Sequence, residues 1–377
     1  MSDLQILAET VTSSAALVVA FLNQENGSSA SKSRPFHRTG PVDIPTSAPD
    51  DVKKARKSLI DATMAIQHLV MAPTEYHQQM SIQAWIPPCY QDIAQKAQVA
   101  ELAIPGRDDV PDRDSFDHLH KMVDMTERYG SSSAKNNTAF NIAFNTDLPF
   151  YAYSSQNATL SAQLAGSMKF FGVGGALHLK HLVNGFDWAG LGEAKVVDIG
   201  GSQGHASIAL ASAFPDLSFT VQDLPEVIER AREALISSAL EPAVASRISF
   251  KAHNFFQPQP PSSHSADVFL ARLILNNWHN NEAVSILRNL VSAMKRTAKI
   301  IIMAAVLPEP GSVPLREEAI ERCRDMFMMQ AMNGTERGLG EWKELFGETD
   351  RRLILKDVTK PEGSNLSVLE VVLAKES

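Results

Sequence analysis

Cysteine is nearly absent from this chain. Only Cys89 and Cys323 occur in 377 residues. Two thiols are too few for a disulfide framework and have no metal-ligand spacing. They read as reduced thiols of a cytoplasmic protein. Basic runs are scarce too: the net charge is -8, and no Lys/Arg cluster extends beyond a few residues. A nucleic-acid partner needs a concentrated basic face and is not expected. No uncharged apolar run reaches roughly 18 residues, so no membrane partner is expected. The first residues, "MSDLQILAETVTSSAALVVAFLNQ", carry Asp3 and Glu9 and lack a basic leader, which argues against a signal peptide. No internal repeat occurs.

What is present falls into two textures. Residues 4–23 space Leu4, Leu7, Ala8, Val11, Ala15, Leu17, Val18 and Phe21 close to a helical period. A Gly/Pro/Ser-rich linker follows, and Asp50 or Asp51 caps a second helix over roughly 51–71. Residues 75–102 read as broken helix, with further helices near 114–128 and 154–172. From Lys195 onward, short apolar runs alternate with helical patterns: "KVVDIG", "LSFTVQD", "RISFKAH", "ADVFLARLIL" and "KIIIMAAVL". That alternation predicts an α/β fold with a doubly wound parallel sheet. After a long helix near 316–332, "RLILKDVT" and "LSVLEVVLAKE" follow without a helix between them, predicting a terminal antiparallel hairpin. The expected domains are a helical region over 1–137 and a cofactor-binding domain over 138–377.

The densest motif is "VVDIGGSQGH", Val196 to His205. A strand ends at Asp198, and Gly200, Gly201 and Gly204 turn the chain into a helix whose N–H groups face a ligand. The spacing is G-G-x-x-G, unlike the G-x-G-x-x-G of dinucleotide binders. Asp223 ends the next strand and is suited to hold two ribose hydroxyls. Together with the terminal hairpin, these features point to S-adenosylmethionine as cofactor.

The blocks "NNTAFNIAFNTDLPFY", "VVDIGGSQGHASIALASAFPDLSFTVQDLPEVIE", "ISFKAHNFFQPQP", "IIMAAVLPEPGSVP" and "NGTERGLGEWKELF" resemble the fungal secondary-metabolite O-methyltransferases, relatives of the plant caffeate type. The resemblance is dense over about 138–375. It implies a methyltransferase-fold domain that binds S-adenosylmethionine through Gly200, Gly201, Asp223, Leu224, Asn254, Phe255 and Arg272. Asn254 stands where the family usually has Asp for the adenine amino group, and an amide oxygen still accepts that bond. The resemblance also implies a homodimer made through the N-terminal helices.

The catalytic block departs from the family. Where relatives read H-D-W, this chain reads "NNW", so Asn276 replaces the histidine that takes the hydroxyl proton. His279, one residue past Trp278, is expected at a helix start facing water. The carboxylate before "VLPEPG" is replaced by Ala304 or Ala305, while Glu336 in "NGTER" remains. The stretch that holds a winged helix in the family is reduced to about one helix, with His118 and His120 as candidate acids. The Met-rich segment places Met328, Met329, Met332 and Asn333 as candidate substrate-pocket residues.

These departures resemble the methyltransferase-like pericyclases of fungal 2-pyridone and polyketide pathways, such as the leporin type. That likeness implies bound, unconsumed S-adenosylmethionine and a cyclisation of a polyketide or pyridone, with Asn276 donating to a carbonyl. The leporin type carries a basic side chain at this position, so Asn276 departs there as well. The alternatives are a working O-methyltransferase with another base, or a silent partner subunit.

Overall fold

A computed structural model describes residues 3–28, 48–70, 121–156, 175–236, 240–313 and 315–374. The candidate acids His118 and His120, the broken-helix region 75–102 and Cys89 lie outside the described residues. The chain divides into two units, Met1–Ser81 and Ile82–Ser377, a boundary earlier than the expected 137/138. Loop 132–137 lies in the second unit, and its carbonyls accept from the Asn333 amide there.

Among its described residues the first unit is a pair of helices, α1 (Asp3–Ser28) and α2 (Asp50–Val70). Small residues form their shared face: Ser14, Val52, Ala55 and Ala62 are buried. Leu4, Ile6, Leu17 and Val19 of α1 are exposed, as are Ile60, Met64, Leu69 and Val70 of α2. Thr10, Thr12 and Ser13 turn their hydroxyls onto the carbonyls of Ile6, Ala8 and Glu9, each at 2.9 Å. By length and composition alone α1 is apolar enough over Asp3–Leu22 to cross a membrane, although Asp3 and Glu9 interrupt the span. A signal sequence passes the same test.

The second unit is built on a seven-stranded sheet. Its strands are β1 (Ala194–Ile199), β2 (Leu217–Asp223), β3 (Ile248–Ala252), β4 (Val268–Arg272), β5 (Lys299–Ala304), β8 (Leu353–Thr359) and β9 (Ser367–Leu373), in the order β3-β2-β1-β4-β5-β9-β8. A separate parallel pair, β6 (Val306–Leu307) and β7 (Arg337–Gly338), completes the set. Strands β3 to β5 run parallel, and β9 inserts antiparallel between β5 and β8, as the hairpin expectation required. Strands buried on both faces need continuous apolar runs. One face packs Val197, Phe269, Ile300 and Ile302 under the helices Asn280–Ala293 and Leu339–Thr349. The other packs Val196, Phe219, Leu270 and Ile301 under His205–Ala213 and Pro225–Ile236. Strand order reverses between β1 and β4, so their carboxyl ends open the crevice where such sheets bind ligands.

Candidate functional site

At the end of β1 the chain makes a left-handed turn through Gly200 (φ 64°), Ser202 (φ 52°) and Gly204 (φ 77°). Gly201 is required for space instead. A Cβ there would lie 2.7 Å from the Asp198 carboxylate and 2.8 Å from Val221. The loop is fastened from the next strand: Asp223 accepts the Ser202 N–H on one oxygen and the Leu224 N–H on the other, both at 2.8 Å. Each oxygen keeps a lone pair for a ribose hydroxyl. Burial raises the Asp223 carboxyl above its ordinary range, against the pull of these two N–H groups.

Phe255 stands beside the loop, its ring 3.5 Å from a Cβ built on Gly200. It packs edge-on against Phe256 and Trp278, at 5.0 and 5.8 Å. Leu224 is 43% exposed, suited to cover the face of a base. Asn254 is exposed, and its amide oxygen accepts the Phe256 N–H at 3.0 Å, which leaves one lone pair. Arg272 ends β4 and donates from Nη2 to the Leu177 carbonyl at 2.8 Å, while its buried Nε has no partner. Glycines that a Cβ would block, a fastened carboxylate and flanking apolar groups fit S-adenosylmethionine.

Asp198 lies beneath the loop, 1% exposed, with Ser207 donating to it at 2.7 Å. Burial pushes its carboxyl up to about 6, opposed by the Ser207 hydrogen bond and the charge of Arg272. A folded-state pKa raised from 3.8 to about 6 favours the folded chain at low pH and loses that contribution as pH rises through this window. The loss is on the order of 3 kcal/mol, at 1.36 kcal/mol per pKa unit. Asp198→Asn is therefore expected to flatten the pH dependence of urea-unfolding stability between pH 4 and 6. An unchanged slope counts against this assignment.

The turn after β4 carries Asn276. Its Nδ2 donates to Glu336 Oε1 at 3.3 Å, and its own Oδ1 is buried without a partner among the described residues. Glu336 precedes β7, and its N–H is held by Asp325 at 3.0 Å. Its Oε1 also forms an ion pair with Arg324 Nε at 3.1 Å, and Oε2 has no partner among the described residues. Arg324 pairs further with the buried Glu321, one turn back on the helix Leu315–Met332. Burial raises the carboxyls of Glu336, Glu321 and Asp325, and Arg324 opposes each shift. Asn277 donates from Nδ2 to the Tyr151 hydroxyl and to the Leu273 carbonyl, both at 3.2 Å.

Residues 128–350 match the O-methyltransferase domain family. The O-methyltransferase VdtC of Byssochlamys spectabilis is 37% identical over 428 aligned positions, covering 99% of this chain and 98% of VdtC. The chain belongs to the O-methyltransferase domain family. The alignment to VdtC has more positions than this chain has residues, so VdtC carries insertions that the chain lacks. The O-methyltransferase pgmB of Aspergillus terreus is 36% identical over 99% of this chain and 97% of its own length. Among solved structures, the mitomycin 7-O-methyltransferase MmcR covers 86% of this chain and 87% of its own at TM-score 0.57 and 19% identity. The O-methyltransferase NcsB1 of neocarzinostatin biosynthesis, solved with S-adenosyl-L-homocysteine and 1,4-dihydroxy-2-naphthoic acid, covers 67% of both chains at TM-score 0.53 and 24% identity. Both likenesses are of fold. The fungal relatives are O-methyltransferases by name and favour methyl transfer over cyclisation without it.

Within this O-methyltransferase fold the expected site residues separate into groups. The cofactor residues gather around the loop after β1. Asn276 and Glu336 meet, as family position implies. His279 is exposed and caps the helix Asn280–Ala293, away from this pair. Ala304 and Ala305 are both fully buried, and only Ala304 shares a core face with Leu275 of the Asn276 turn. Met328 and Met332 are buried in a small cluster with Ala331, flanked by Phe150 and Phe327. Met329 is 37% exposed, because one residue past Met328 a helix points to another face. Asn333 is engaged by its own surroundings. Its amide donates to the carbonyls of Ser132, Ala134 and Asn137 and its φ is 45°, so it anchors a loop and has no donor left for a substrate.

Lys135 was not singled out from sequence. It donates to the carbonyls of Asn277, Met332 and Asn333, pairs with Glu282 at 3.2 Å and lies 4.7 Å from the Trp278 ring centre. Arg324 and Glu321 were missed likewise. Their spacing on a helix looks like a surface ion pair, and only burial distinguishes it.

Proposed function

We propose that this protein is an S-adenosylmethionine-dependent O-methyltransferase acting on an aromatic hydroxyl of a fungal secondary metabolite. The observation that carries the reading is an intact, fastened cofactor loop in a chain matching VdtC over 99% of its length. Bound there, the cofactor supplies an electrophilic methyl group on a sulfonium. Gly200, Gly201, Asp223, Leu224, Asn254 and Phe255 hold it, and Arg272 offsets the charge of Asp198. Asn276 cannot take a proton at neutral pH, but its amide donates to an oxygen that gains negative charge. A hydroxynaphthalene, of the class bound to NcsB1, is the acceptor type this reading favours, since aryl hydroxyls ionise far more readily than alcohols.

Two further parts of the proposal concern the whole protein. Two copies pair through the apolar side chains that α1 and α2 expose, and the enzyme works in the cytoplasm.

The test is incubation of the full chain with methyl-labelled S-adenosylmethionine and a panel of hydroxynaphthalenes that includes 1,4-dihydroxy-2-naphthoic acid. S-adenosylhomocysteine and a labelled methyl ether are expected. A second reading, cyclisation with the cofactor unconsumed, is favoured by Asn276 as a neutral donor without a histidine base. It predicts turnover of a polyketide or pyridone precursor with no label transferred, and that result would displace the first reading.

A further inference from the structure

The family position of the base holds an amide, yet a hydroxyl must still lose its proton. The side chains next to Asn276 narrow where that proton goes. Among the described residues around this turn, Glu336 is the carboxylate that touches Asn276. Its two oxygens are inequivalent. Oε1 accepts from Asn276 Nδ2 at 3.3 Å and lies 3.1 Å from Arg324 Nε, an ion-pair contact without hydrogen-bond geometry. Oε2 is buried and has no partner among the described residues, and the neighbouring Asn276 Oδ1 is in the same condition. Two unpartnered acceptor atoms from adjacent side chains suit a ligand that brings an O–H. An unmatched buried acceptor costs about 1–3 kcal/mol, which such a donor recovers.

We propose that Glu336 is the proton acceptor of the transfer reaction, receiving the substrate hydroxyl proton on Oε2 while Arg324 and Asn276 hold Oε1. The inference rests on the methyl-transfer reading. The proton passes from the hydroxyl to Oε2. The hydroxyl oxygen, freed of it, takes the methyl group of the sulfonium donor, whose C–S electron pair stays on sulfur. The products are a methyl ether and a thioether, and Glu336 releases its proton to water when they leave. The backbone fixes Glu336 from both sides, through Asp325 on its N–H and the β6–β7 pairing that begins at Arg337.

The charges around Glu336 are consistent with this role. Arg324, Asp325 and Glu321 face it from the long helix, and Arg337 follows it in sequence. Three carboxylates against two guanidiniums leave one negative charge in excess. Burial lifts the carboxyls, so the cluster gains a proton more readily than exposed carboxylates do. A carboxylate is a weaker base than imidazole. The substrate is therefore restricted to acidic hydroxyls, such as phenols and enols conjugated to a carbonyl.

The experiment compares the full chain with Glu336→Gln and Glu336→Asp, using labelled S-adenosylmethionine and the hydroxynaphthalene panel across pH. Cofactor affinity by calorimetry and thermal unfolding are measured on all three. Wild-type turnover is expected to rise with pH through an acid limb above the ordinary glutamate value of 4.5. Glu336→Gln is expected to lower kcat by roughly 100-fold or more, to lose that limb, and to bind S-adenosylmethionine unchanged. Glu336→Asp is expected to keep the limb at a reduced rate. In the protein without substrate, infrared difference spectra of wild type against Glu336→Gln are expected to show a carboxyl that titrates above the ordinary glutamate value of 4.5. Wild-type turnover matched within about 3-fold by a folded Glu336→Gln overturns the inference and leaves the methyl-transfer reading standing. A carboxyl that stays protonated throughout the active pH range overturns it too. No methyl transfer by wild type to any member of the panel overturns the methyl-transfer reading itself, and the inference with it.

Discussion

Gly201→Val is expected to weaken S-adenosylmethionine binding by at least about 3 kcal/mol, or roughly 100-fold. The first added carbon would already lie 2.7 Å from both Cγ and Oδ2 of Asp198, and 2.8 Å from Val221 Cγ1. Neither neighbour can retreat. Asp198 is 1% exposed and its Oδ2 is held by Ser207, while Val221 sits at 0% exposure in the central sheet. The loop backbone must move instead. It carries the Ser202 N–H that fastens the turn to Asp223, so the cofactor's cradle opens at the point where the ribose is held. Calorimetry with S-adenosylmethionine and S-adenosylhomocysteine measures the loss, and circular dichroism checks the fold. Gly340→Ala is the control, because a Cβ at Gly340 meets nothing within 4 Å. Unchanged affinity in Gly201→Val would place the cofactor away from this loop.

Arg337→Ala is expected to destabilise the protein by about 3–5 kcal/mol, since each buried acceptor it leaves unmatched costs about 1–3 kcal/mol. Arg337 is at 0% exposure, and four of its five N–H donors are matched. Its Nη1 reaches the Leu275 and Thr335 carbonyls at 2.8 and 3.1 Å, Nη2 the Trp278 carbonyl at 2.8 Å, and Nε the Asn280 side chain at 3.0 Å. Burial lowers its pKa to about 10, so it remains charged at neutral pH. Truncation leaves buried carbonyls unmatched on both sides of Asn276. Lysine should not restore stability, because an ammonium lacks the planar fork that spans these acceptors. Urea unfolding of wild type, Arg337→Ala and Arg337→Lys decides the matter, and a loss under about 1 kcal/mol would show that the turn holds itself.

These two residues differ in how readily the sequence disclosed them. Gly201 stands in a motif, "DIGGSQG", whose spacing after an apolar strand already announced a ligand-binding turn. Arg337 looks like an ordinary charge beside Glu336 in "NGTERG". Nothing in its neighbours signals that it is buried against a turn some sixty positions earlier, because its partners are backbone carbonyls that any residue supplies. The Met-rich segment alone groups Met329 and Asn333 with the buried methionines, and helix phase turns Met329 outward while three loop carbonyls occupy the Asn333 amide.

By itself the sequence determined the strand–helix alternation, the terminal hairpin, the glycine turn and Asp223. Each is a local matter: a strand buried on both faces must be apolar along its length, and a turn that crowds Asp198 and Val221 must lack a Cβ. It also determined that no histidine base stands at position 276. Only the tertiary structure decided what surrounds that position. Glu336, Arg324 and Glu321 become one buried chain because β7 pairs with β6 after a long helix, which brings residue 336 to residue 276. Burial then changes their chemistry, since a carboxylate removed from water holds its proton more tightly and takes one up more readily. The same residues on an exposed helix would be solvated ion pairs of little consequence.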